Sequence, residues 1–116
     1  MTFEQVESFI SDNFNSTYDY PFDEEVRVYR IANKMFALTS HTKPLKINLK
    51  CDPIYSLELR DIYSSITPGY HMNKKHWNTI VLEDSDVDEQ TIKELITHSY
   101  ELVFKSLSKK LRESLK

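Results

Sequence analysis

The sequence predicts an α+β fold with the order α-β-β-β-α-β-β-α, an antiparallel sheet with its helices packed on one side. Three observations carry this expectation. Apolar residues recur at helical spacing at both ends of the chain. The middle is rich in β-branched and aromatic residues, and one segment, Leu45–Cys51, alternates strictly between apolar and polar side chains. Helix-start signals stand immediately before each predicted helix.

Thr2 followed by Gln5 is a capping box, and Phe3, Val6, Phe9 and Ile10 recur at helical spacing, which predicts a first helix over about residues 2–14. Asn15 to Glu25 is polar, contains Pro21, and reads as a loop. VRVYRI and KMFALTS then read as two strands joined at Ala32-Asn33, where Asn33 tolerates left-handed geometry. In the third strand Leu45, Ile47, Leu49 and Cys51 form one face, and Lys46, Asn48 and Lys50 the other.

Asp52-Pro53 opens a second helix, with Asp as cap and Pro in the first turn. Ile54, Leu57, Tyr63 and either Leu59 or Ile62 supply its expected buried stripe, and Thr67-Pro68-Gly69 is expected to stop it. YHM and HWNTIVLE read as a second hairpin turning at Asn73-Lys74. Asp86 or Asp88 caps the last helix, whose stripe is Ile92, Leu95, Ile96, Leu102, Val103 and Leu107; KKLRESLK is expected to continue it and fray.

Composition bounds the function. A chain of 116 residues, 40% hydrophobic and 28% charged, fills one modest core, so residues 1–116 read as one domain. No apolar run approaches the ~18 residues that span a bilayer, and the N-terminus carries acids where a signal peptide carries bases. A lone Cys51 excludes an intramolecular disulfide and any multi-cysteine metal site. The expected location is therefore the cytoplasm, with no membrane contact. The single glycine, Gly69, excludes the Rossmann fingerprint and the P-loop, which need at least two.

The net charge of −3 hides an uneven distribution. Residues 1–26 sum to −7, residues 27–78 to +6 and residues 79–116 to −2. The central block holds nine bases: Arg27, Arg30, Lys34, Lys43, Lys46, Lys50, Arg60, Lys74 and Lys75. A basic middle between acidic ends keeps nucleic acid open as a partner.

The run PGYHMNKKHWNTI, Pro68 to Ile80, resembles the signature of the MmcQ/YjbR family. YPF at Tyr20–Phe22, KMFAL at Lys34–Leu38, LKCDP at Leu49–Pro53 and HSYELV at His98–Val103 support the resemblance in the expected order. The positions that carry it include Lys34, Phe36, Pro68, Gly69, Tyr70, His71, Asn73 and Asn78. The resemblance implies a YjbR-like two-layer α/β sandwich, similar to frataxin and type III secretion chaperones, and DNA binding through hairpin wings beside a helix.

A turn centred on Asn73-Lys74 would pair Met72 with Lys75, His71 with His76 and Tyr70 with Trp77, so the two histidines share one face and the two aromatics the other. Lys74 and Lys75 at the tip, His76 behind them, and Lys46 and Lys50 on a neighbouring strand make a phosphate-contacting face. Trp77 reads either as a base-stacking group or as core packing, Lys74 and Lys75 either as contacts or as solvated turn residues. Two histidines without a carboxylate make a poor metal site, so neither metal nor cofactor is expected. Gly69 reads as a helix stop at positive φ, and Cys51 as a buried, inert thiol. Cys51 with a histidine and Ser64/Ser65 with His71 are nominal nucleophile–base sets without a supporting elbow or oxyanion hole, so no enzyme is expected. The acidic group Asp19, Asp23, Glu24 and Glu25 reads as a solvated loop.

The sequence thus predicts a small binding module that contacts DNA weakly and salt-dependently through Lys46, Lys50, Lys74, Lys75 and His76, with Trp77 as a stacking group. The alternative is a protein-interaction domain, for which the same face should present apolar area. A small-ligand or enzymatic site around Tyr70, His71 and Arg60, for which a deep pocket should enclose these groups, is the third reading.

Overall fold

A computed structural model describes residues 1–69 and 72–115. Its elements are α1 (Phe3–Asn13), β1 (Thr17–Asp19), β2 (Val26–Ile31), β3 (Lys34–Ser40), β4 (Lys46–Lys50), α2 (Pro53–Ile62), β5 (Ile66–Pro68), β6 (Trp77–Val81), α3 (Glu89–Ser106) and α4 (Lys109–Ser114). The strands form one antiparallel sheet in the order β1-β2-β3-β4-β6-β5. The α+β class and the order of the long elements follow the sequence reading.

The helices begin where their caps stand. Thr2 and Gln5 exchange both hydrogen bonds of the capping box. Asp52 accepts the N–H groups of Ile54 and Tyr55, and Asp88 that of Thr91. Ala32 and Asn33, at φ 47° and 68°, make the tight turn between β2 and β3.

One face of the sheet is covered by α1 and α3. Val6 and Ile10 of α1 and Ile92, Leu95, Ile96 and Val103 of α3 meet Tyr29, Ile31, Phe36, Ile47, Leu49 and Ile80 in the main core. A bulge adjusts this face: Tyr29 pairs with Ala37 but Arg30 with Met35, so Phe36 is the extra residue of β3. Phe36 and Ala37 both enter the core, and Met35 falls on the opposite side. Ser99 of α3, fully buried, reaches the gap this leaves. Its Oγ accepts the N–H of Lys50 at 2.9 Å and donates to the C=O of Phe36.

The sequence expectations need six corrections. Thr17–Asp19, read as loop, is a short edge strand on β2; all three side chains are exposed, so no burial pattern announced it. Helix α2 ends at Ile62, and the residues expected to stop it, Thr67 and Pro68, belong to β5. Pro68 pairs with Asn78, and Gly69 N–H donates to Trp77 C=O, so the strand register differs by one from the predicted Tyr70–Trp77 pairing. Tyr70 and His71 themselves lie outside the described residues. Gly69 is not at positive φ; its backbone passes so close to Trp77 that an added Cβ would stand 3.0 Å from Trp77 Cβ. In α2 the buried positions are Ser56 and Leu59, whereas Ile54, Leu57 and Ile62 are 72%, 64% and 66% exposed. Finally, the C-terminal segment does not continue α3. Leu107 is extended, and Ser108 caps a separate α4 through the N–H of Leu111.

Beyond α2, Asp86 fixes the turn into β5. Its carboxylate accepts both backbone N–H groups of Ser64 and Ser65 and the hydroxyl of Ser64, while its own N–H donates to Ser65 Oγ. These hydrogen bonds outweigh desolvation, which alone would raise its pKa, and lower it to about 2.

Candidate binding site

Strand side chains alternate between faces, so the residues between the core positions point to the side no helix covers. On that open face Val28, Leu38 and Trp77 form a second apolar cluster, with Val26, Met35 and Met72 packed against it. An antiparallel sheet with one covered face ordinarily presents polar residues to water on the other. Here the open face instead contains a cavity of about 540 Å³. Its floor is Leu38, Asn48 and Trp77; Phe22 and Val26 stand at the β2 end, Met72 and Asn73 at the β6 end.

Two irregular segments build the walls. The stretch Tyr20-Pro21-Phe22 straddles the sheet. Tyr20 Oη accepts a 2.9 Å hydrogen bond from Arg27 Nε on the helix-covered side, while Phe22, 67% exposed, lines the cavity on the open side. Asp23 Oδ1 then accepts the N–H groups of Glu25 and Val26 and turns the chain into β2.

The opposite wall is the segment between β5 and β6. Trp77 N–H and His76 N–H both donate to Asn73 C=O, and Asn73 Oδ1 accepts Lys75 N–H. Arg60 of α2 holds this segment from behind. Its Nη2 donates to the C=O of Lys74 at 2.5 Å and of Trp77 at 3.3 Å, and its Nε donates to Asn78 Oδ1 at 2.7 Å. Asn78, buried, donates on to Ser56 Oγ.

Asn48 is the polar group in the cavity floor. Thr79 Oγ1 donates to its Oδ1 at 2.5 Å, and its Nδ2 has no protein partner among the described residues. Lys46 and Lys50 flank it on β4, two residues to either side, which places their backbone positions about 13 Å apart. Both are half-buried on the open face, and neither forms an ion pair among the described residues.

The nine central bases do not converge. Arg27 lies on the helix-covered side, 8% exposed, with its guanidinium 4.0 Å from the Tyr18 ring centroid, 4.8 Å from that of Phe3 and 3.4 Å from Glu7 Oε2. Burial alone would lower its pKa, yet its hydrogen bonds to Tyr29 and Tyr20 raise it, so it stays charged. Arg30 pairs with Asp19, Arg60 is spent on the β5–β6 segment, and Lys34 reaches Ser106 Oγ at the far side. Of the predicted contact residues, Lys46, Lys50 and Trp77 share the open face, and Lys74 and Lys75 are exposed on the segment beside it. His76 is half-buried, its C=O accepting Cys51 N–H. Trp77 is 8% exposed.

Of the nominal catalytic sets, the one that pairs Ser64/Ser65 with His71 cannot be traced, because His71 lies outside the described residues. Cys51 is buried, which pushes its thiol pKa up, and Ser64 and Ser65 are engaged by Asp86. Among the described residues no group of three His, Cys, Asp or Glu comes together to hold a metal. Phe36 sits in the main core, and Lys34 stands exposed at the start of β3.

Sequence reasoning missed Phe22, Met35, Leu38, Asn48 and Met72. A signal existed in VRVYRI and KMFAL: both strands are apolar on both faces, which a sheet solvated on one side does not need.

The comparisons agree with this architecture. Residues 14–102 match the family model described as YjbR. The Uncharacterized protein YbdF of Escherichia coli O157:H7 is 44% identical over 92 residues, covering 78% of this chain and 75% of that protein. The Uncharacterized protein YyaQ of Bacillus subtilis strain 168 is 32% identical over 117 residues, covering 88% and 98%. Among solved structures, protein DR2400 of Deinococcus radiodurans superposes with a TM-score of 0.89 at 38% identity, covering 98% of this chain and 87% of that one. A Pseudomonas syringae protein gives 0.77 at 26% identity, covering 88% and 98%.

Proposed function

The chain belongs to the YjbR family, and we propose that it is a non-catalytic binding module whose open sheet face docks an acidic, amphipathic segment of a protein partner. The observation that carries this reading is the apolar cavity of about 540 Å³ between Phe22 and Met72, with Lys46 and Lys50 two residues to either side of its Asn48 on β4. Contiguous apolar surface on a solvated face marks interaction sites. A cavity of this size takes two or three apolar side chains, and the lysines select a segment that carries carboxylates beside them. The Asn48 amide adds a donor for a carbonyl or carboxylate oxygen.

The chain holds one tryptophan, and it lies in the cavity floor, so its fluorescence reports occupancy directly. The test titrates the full chain with a synthetic acidic amphipathic peptide, its basic counterpart and a scrambled control. The acidic peptide is expected to shift Trp77 emission and to bind about tenfold more weakly to Phe22→Glu and Lys50→Glu. Equal response to all three peptides, or none, overturns the reading.

One observation favours DNA as a second reading. Lys46 and Lys50 face the same side of the sheet, and Lys75 is exposed on the adjoining segment. With Lys74 and His76 they form a phosphate-contacting set that would bind weakly and without sequence preference. Burial of Trp77 removes stacking from this reading. Affinity for duplex DNA would fall steeply with salt, and Lys74→Ala/Lys75→Ala would reduce the slope by about two. A salt-independent affinity excludes it. The free, buried thiol of Cys51 suits a reducing compartment, and the module is proposed to act in the cytoplasm.

A further inference from the structure

We infer that the segment seated on the open face is helix α2 of a second copy of this chain, an inference that rests on the docking reading above. Ile54, Leu57, Glu58, Asp61 and Ile62 fall within about 140° of arc on a helix that turns 100° per residue. All five are exposed, and the buried side of α2 is Ser56 and Leu59. The exposed face of α2 is therefore apolar with acids only: its one base, Arg60, is turned to the β5–β6 segment.

This face complements the open sheet face in three respects. The helix exposes Ile54, Leu57 and Ile62, and the sheet face exposes Phe22 beside the half-buried Val26, Met35 and Met72. The charges beside them are opposite, Glu58 and Asp61 on α2 against Lys46 and Lys50 on β4, and none of the four is in an ion pair among the described residues. The dimensions also agree. Ten residues of helix extend about 15 Å, and the cavity runs from β2 to β6 across three strand spacings, about 14 Å. The turn carrying Asp23, Glu24 and Glu25 lies at the β2 end, so the acids of α2 are directed towards β4.

The two surfaces are different parts of the molecule, so the contact is head-to-tail. Each copy keeps one unused helix face and one unused cavity, and association continues beyond a dimer unless a ring closes. Three exposed aliphatic side chains make a small contact relative to the ~800 Å² per partner of stable complexes, so the association is weak and reversible.

Sedimentation of the full chain across rising concentration tests this, with Leu57→Glu on the helix and Phe22→Glu at the cavity. Both positions are exposed, so folding is not at issue, and circular dichroism checks it. The wild type is expected to exceed dimer mass as concentration rises. Each variant alone is expected to associate about tenfold more weakly. Their mixture should recover association and stop at a dimer, since one supplies an intact cavity and the other an intact helix. A wild type that remains monomeric, assembly indifferent to both variants, or a mixture without rescue overturns self-docking. The acidic peptide titrated into the same samples separates the two levels. Trp77 response with a monomeric wild type overturns only the self-docking, and its absence overturns the docking reading as well.

Discussion

The hydroxyl of Ser99 accepts the backbone N–H of Lys50 at 2.9 Å, where β3 and β4 would otherwise bond directly. The same oxygen donates to Phe36 C=O, so one helix side chain completes a rung of the sheet beside the bulge. A bulge leaves a backbone group unpaired, and Ser99 removes that cost from inside the core.

Ser99→Ala leaves Lys50 N–H and Phe36 C=O without this partner. The expected destabilisation is roughly 1–3 kcal/mol, read as a lower urea midpoint with unchanged m. An unchanged midpoint would show that the strands close the rung themselves.

Gly69→Ala places a methyl group 3.0 Å from Trp77 Cβ and 3.2 Å from Trp77 C=O. Both are backbone or Cβ atoms with no rotamer to yield. The expected cost is about 1–3 kcal/mol, with a change in Trp77 emission because the indole must shift. Stability loss without a spectral change would place the strain elsewhere.

Arg27→Lys keeps the charge but loses the planar fork that reaches Tyr20 and Tyr29. The expected loss is about 1–2 kcal/mol. Tyr20→Phe should cost less, since it removes one of these bonds and keeps the ring beside the guanidinium. Thermal unfolding of the two variants ranks them, and equal losses would count against the hydrogen-bonding account.

Asp86, held at about 2 against an ordinary 3.8, binds fewer protons folded than unfolded in that window. Its contribution is therefore fully present above pH 3.8 and is lost as pH falls through about 2. Asp86→Asn should lower stability at neutral pH and flatten the fall in stability between pH 4 and 2. Parallel pH profiles for the two proteins would assign the acid sensitivity to other carboxylates.

The long elements were legible because local signals coincide with burial. Ile47 and Leu49 alternate with Lys46, Asn48 and Lys50, and the structure buries the expected face. Thr2, Asp52 and Asp88 cap the helices they were expected to cap. Helix α2 was misread because apolarity cannot tell which side of a short helix meets the sheet: Leu59 and Ser56 went in, Ile54 and Leu57 stayed out. The β5–β6 register was misread because Asn73 organises a multi-residue turn through its C=O and side chain, with no glycine to mark its geometry. Charge summed along the chain carries no information about faces, so Arg27 and Lys46 counted alike although they lie on opposite sides of the sheet. The cavity was hidden for a related reason: its residues come from five separate segments, none of which forms a motif alone.

Both borders of the sheet are three-residue strands, β1 and β5, each only about 10 Å long. Pro21 follows two residues after β1, and Pro68, without an N–H, closes β5. A neighbouring chain seeking to extend the ladder sideways meets too few donors and acceptors on either border to hold it. Growth by strand addition is thus closed on the left and on the right alike. Whatever associates with this molecule through its sheet must approach broadside, onto the surface where Trp77 lies.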